Sequence, residues 1–95
     1  MPAIGQKTSI STDAASALTS SATPVATQVY LRANTGNAGK LYLACTSAVT
    51  TGTGYEVNPG QEVVVHKAEI PSGDAANIFL IAAAGNANIA SYRVI

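Results

Sequence analysis

The side chains able to do chemistry in this chain are few and scattered. His66 is its one histidine and Cys45 its one cysteine, and the carboxylates are Asp13, Glu56, Glu62, Glu69 and Asp74. A Ser-His-Asp triad needs a nucleophile, a base and an acid that orients the base. His66 with Asp13 or Asp74 and one of many serines meets that need by composition, but no G-x-S-x-G turn presents a serine. A jelly-roll metal site takes two histidines one residue apart plus a glutamate, whereas "VVHKAE" offers one histidine with Glu69 three positions on. Glycoside hydrolysis sets two carboxylates across the scissile bond, and no tryptophan is present to form a sugar platform. The glycine-bearing stretches "NTGNAG" and "TTGTG" carry no G-K-[ST] and open no amphipathic helix, so they read as turns and not as phosphate cradles. A lone cysteine forms no intramolecular disulfide, and Cys45 alternates with Leu41 and Leu43 as a small apolar side chain. The expectation is a chain that is not an enzyme and holds no cofactor or metal.

Recognition is the chemistry left. Tyr30 and Arg32 share one side of a strand pattern, and Lys40 and Tyr42 share one side of the next. Paired as a hairpin, these four form an aromatic and basic patch of the kind enriched at protein interfaces. The alternative is that the two tyrosines pack across the strands or in the core of a second sheet.

The elements that position them follow a period of two. In "ATQVYLRA", Val29 and Leu31 oppose Gln28, Tyr30 and Arg32; in "KLYLACT", Leu41, Leu43 and Cys45 oppose Lys40, Tyr42 and Ala44. Asn34, Gly36, Asn37 and Gly39 lie between them, which predicts a hairpin. A polar loop, "TSAVTTGTGYEVNPG", ends at Asn58-Pro59-Gly60, where proline sets the second turn position and glycine accepts a left-handed third. "QEVVVHK" predicts a strand with Val63 and Val65 inward, and "NIFLIAA", apolar on both faces, predicts a central strand. "NIASYRVI" alternates Tyr92 and Val94 against Arg93 and Ile95.

With strands in "IGQKTSIST" and "SALTSS" the total reaches seven or eight, which predicts an all-β fold: a single small antiparallel β-sandwich, jelly-roll or Greek-key-like. Residues 25–95 form the sandwich in this reading, and residues 1–24 an extended N-terminal arm or edge strands. A short helix over "TDAASALTSSA", capped by Thr12 or Asp13, is the competing local reading, which Pro24 and the Ser/Thr content oppose.

Ninety-five residues make one domain. Charged residues are 11% of the chain, with five basic and five acidic side chains, against about a quarter charged in typical soluble proteins. So neutral a surface invites self-association or a covering partner. Lys7, Arg32, Lys40, Lys67 and Arg93 are dispersed, which argues against nucleic acid, and no apolar run is long enough for a signal peptide or a membrane span. Synthesis in a cytoplasm is expected. Lysines 7, 40 and 67 are placed to guard strand edges, although an edge meant for pairing needs no guard.

The run "VYLRANTGNAGKLYLA", then "GYEVNPGQEVVV", then "NIFLIAAAGNANIASYRVI" resembles small β-sandwich virion proteins of tailed bacteriophages. The shared elements are Asn34-Thr35-Gly36, Leu41-Tyr42-Leu43, Val57 to Val63 around Pro59-Gly60, and Ile78 to Ala82. The resemblance implies a capsid decoration, or cement, protein that bridges major capsid subunits on the virion surface and self-associates as a dimer or trimer. Head-fibre or tail-appendage modules that bind host glycan or receptor are the alternative it leaves open. Residues 1 to 28 do not share the pattern.

Overall fold

The computed structural model describes residues 3–95. Eight strands build the fold: β1 (Ala3–Ile10), β2 (Ser16–Ala17), β3 (Gln28–Ala33), β4 (Leu41–Ala44), β5 (Tyr55–Val57), β6 (Glu62–His66), β7 (Phe79–Ala82) and β8 (Asn88–Val94). The first sheet has the order β1-β8-β3-β6, the second β2-β7-β4-β5, and every pairing is antiparallel. Strands 1 and 8, 3 and 6, 2 and 7, and 4 and 5 are thus neighbours. One long antiparallel ribbon folded across two sheets gives this order, which is the jelly roll.

The inward residues are those that alternation selects. Val29, Leu31 and Ala33 from β3 meet Leu41 from β4, Val57 from β5, Leu80 and Ala82 from β7 and Val94 from β8, all fully buried. Each buried valine or leucine side chain contributes about 1.5–3 kcal/mol of transfer free energy. Ala33, Ala75, Ala82 and Ala90 are also fully buried, so the alanine-rich composition reappears as a core of small pieces. β7 is internal to its sheet, and three of its four residues are buried, as its two apolar faces predict.

The predicted hairpin does not form. β3 and β4 are not a hairpin, because β3 pairs with β6 and β8 in the first sheet and β4 with β5 and β7 in the second. The intervening residues cross from sheet to sheet. Alternation reports which side of a strand is buried but not which strand lies beside it, and both strands bury their faces in one core from opposite sheets. Asn37 holds the crossover in place: its amide donates to the Ile89 carbonyl at 2.9 Å and accepts from the Ile89 N–H at 2.8 Å.

Residues 3–24 contribute two edge strands. β1 pairs with β8 from Ala3↔Val94 onward, with a bulge between Lys7 and Ile10 where Ser9 takes φ 57°, and β2 pairs with β7. β1 and β2 are thus edge strands of the two sheets, and no helix forms over "TDAASALTSSA". The Asn58-Pro59-Gly60 turn forms as predicted, with Gly60 at φ 86° and Gln61 N–H bonded to the Asn58 carbonyl at 2.9 Å. β5 arises inside the stretch predicted as loop. It is three residues long, too short for alternation to announce it. Between β6 and β7 the chain takes three single 3-10 turns over Lys67–Glu69, Pro71–Gly73 and Ala75–Asn77.

Candidate functional site

Because β3 and β4 sit in different sheets, the four predicted contact residues do not form one patch. Tyr30 and Arg32 point out from the first sheet. Lys40 and Tyr42 belong to the second. There Lys40 Nζ lies 3.3 Å from Glu56 Oε2, and the Tyr42 hydroxyl lies 3.4 Å from the same oxygen. The loop after β4 folds back over Tyr42: a Cβ on Gly54 would stand 2.6 Å from Tyr42 Cβ and 2.8 Å from Val49 Cγ2. Glycine is therefore required for this approach. Val49 is buried by the loop, and Ile81, opposite Tyr42 across the strands, is buried too. The outer face of the second sheet is largely spoken for.

The outer face of the first sheet is open. Cross-strand register sets Ile4 beside Arg93, Arg93 beside Tyr30, and Tyr30 beside Val64. The adjacent row runs Gln6, Ser91, Arg32, Glu62 by the same pairings. Gln28 Nε2 donates to the Tyr30 hydroxyl oxygen at 2.6 Å and steadies the ring. Ile4 is 80% exposed and Val64 41% exposed, although both are large apolar residues on a regular sheet. Tyr30, Arg32, Glu62, Ser91 and Arg93 border a shallow depression of about 310 Å3. Two guanidiniums face one carboxylate there, so the face is mildly positive. Flat, aromatic and flanked by aliphatic ends, it is suited to binding another macromolecular surface.

The remaining reactive groups lie apart from it or at its margin. His66 is exposed at the end of β6, and its backbone N–H is bonded to Glu69 Oε2 at 3.0 Å. Burial, and then the charge of Glu69, push the Cys45 thiol above its ordinary range, which keeps it protonated and weakly nucleophilic. Asp74 accepts the N–H of Thr23 and of Ala76, each at 2.9 Å. Those bonds hold its carboxyl below the usual range. Among the described residues no three His, Cys, Asp or Glu side chains gather as metal ligands do.

Sequence reasoning overlooked Ile4, Val64 and Arg93 as companions of Tyr30, since only the strand order brings them together. Asn88 was overlooked as well. No family model, curated protein or solved structure matches the chain.

Proposed function

We propose that the chain is a structural virion protein that docks on the outside of a bacteriophage capsid and bridges major capsid subunits, through the open face of its first sheet. The observation that carries this reading is the row Ile4, Arg93, Tyr30 and Val64, which leaves two large aliphatic side chains exposed on a sheet face that no element among the described residues covers. The resemblance of the β3–β8 segment to phage virion sandwiches supports it, and so do the jelly-roll order and the sparse charge.

The mechanism is mass action. A protein that binds the assembled shell and not its free subunits stabilises the shell by about 2.7 kcal/mol per site at a hundredfold excess over Kd. Repetition over the lattice adds these increments. Purified protein mixed with capsids lacking it is expected to co-sediment with them and to raise the temperature at which they release DNA. If it does neither, the reading fails; binding to host polysaccharide instead would assign the chain to a fibre or tail appendage.

A further inference from the structure

The sandwich has four edge strands, β1 and β6 in the first sheet and β2 and β5 in the second. Three are blunted. β2 and β5 are two and three residues long. β1 carries the Ser9 bulge, and Lys7 lies on the same side of the strand as Gly5, whose Cβ would meet the Tyr92 hydroxyl at 2.7 Å. A bulge and an inward lysine are standard protections of an edge. β6 has neither. It reads Glu62-Val63-Val64-Val65-His66, without proline, glycine or lysine.

Its free edge is defined by the ladder. Lys67 N–H bonds the Thr27 carbonyl at 3.0 Å, and the Gln61 carbonyl accepts from Ala33 N–H at 3.1 Å. Alternation therefore gives the odd-numbered residues to β3 and turns the N–H and C=O groups of Glu62, Val64 and His66 outward. Of these, His66 N–H is already satisfied by Glu69. Beside the strand, between the sheets, lies an open groove of about 620 Å3 lined by Leu43, Cys45, Tyr55, Val63 and Val65 among others, with Tyr55 62% exposed.

We infer that β6 pairs antiparallel with β6 of a second copy about a two-fold axis at Val64, joining the two first sheets into one continuous sheet. The strand is self-complementary in this register. Val64 meets Val64 and exchanges both backbone bonds with it. Each Glu62 stands opposite His66 of the second copy, and its N–H reaches the outward His66 carbonyl. The same register offers the Glu62 carbonyl to the His66 N–H, which Glu69 Oε2 holds at 3.0 Å in the single chain, so this last bond forms only as the Glu69 side chain swings away. A basic strand or a copy displaced by two residues would not match, since displacement sets Glu62 opposite Val64. The seam also closes the mouth of the groove.

The capsid reading is not needed for this, and the two are measured separately. Sedimentation velocity of the intact chain over a concentration series is expected to show a monomer–dimer equilibrium. Val64→Pro removes an outward N–H and no internal ladder bond, so it is expected to give a folded monomer by circular dichroism and sedimentation. His66→Glu puts two carboxylates opposite each other across the seam and is expected to weaken the dimer about tenfold, whereas Glu62→Lys with His66→Glu restores it. A chain that stays monomeric at every concentration overturns the inference. So does a dimer that folded Val64→Pro leaves intact, or a double variant no tighter than His66→Glu alone.

Discussion

The Asn88 amide donates to the carbonyl of Ile10 at 3.0 Å, between residues 78 positions apart in sequence. The same nitrogen donates to the Ala84 carbonyl at 2.8 Å, while Oδ1 accepts from the N–H of Ala38 at 2.9 Å and of Gly39 at 3.4 Å. One buried side chain, 1% exposed, thus ties the end of β1, the β7–β8 turn and the sheet-to-sheet crossover. Asn88→Ala leaves these backbone groups to find other partners and is expected to cost about 3 kcal/mol. Urea unfolding measures it; a loss under about 1 kcal/mol, the net worth of an ordinary hydrogen bond, would show that the clip is dispensable.

Asp74 makes the fold sensitive to acid. Its carboxyl is held below the usual range by the Thr23 N–H first and the Ala76 N–H second. A depressed carboxyl contributes its full stability above the unfolded-state pKa and loses it as pH falls through the lower folded value. Asp74→Asn is therefore expected to be less stable than the native chain at neutral pH, with the gap narrowing below the ordinary carboxylate range. Melting temperatures over an acid series check this, and a gap that stays constant with pH would contradict it.

Binding and stability should separate by sheet. Tyr30→Ala and Arg32→Glu are expected to reduce capsid co-sedimentation at least tenfold with little change in melting temperature. Lys40→Ala is expected to leave binding unchanged and to cost less than about 1 kcal/mol, since its pair with Glu56 is exposed. The reverse pattern would move the docking face to the second sheet.

The loop over Tyr42 rests on a missing side chain. Gly54→Val drives carbon atoms into Tyr42 and Val49, so the loop must lift, at about 1–3 kcal/mol. Limited proteolysis is expected to cut within 46–53 faster in this variant than in the native chain. An unchanged cleavage rate would mean that the loop does not depend on this contact.

How much of this was legible follows from what alternation encodes. The inward sets Val29 and Leu31, Leu41 and Leu43, and Tyr92 and Val94 could be read directly, because a strand with one buried face repeats every two residues. So could the Pro59-Gly60 turn, whose backbone angles follow from residue type. Strand neighbours could not be read. The stretch from Asn34 to Gly39 has the composition of a hairpin tip, yet its amides are claimed by Asn88 and its Asn37 by Ile89, residues about fifty positions away. Such partners leave no local trace. The four contact candidates are consequently grouped otherwise than expected: Tyr30 and Arg32 lie on the open face beside Arg93 and Val64, and not beside Lys40 and Tyr42.

The pairing of β1 with β8 begins with Ala3 opposite Val94, and this fixes how the molecule carries load. Force applied to those two residues separates the strands from one end, so the bonds between them part in succession and each resists alone. Force that enters at Ile10 and leaves at Val94 runs along both strands, and all the bonds must yield together. Pulled at Ala3 and Val94 the β1–β8 pair unzips gently; pulled at Ile10 and Val94 it bears the load in shear.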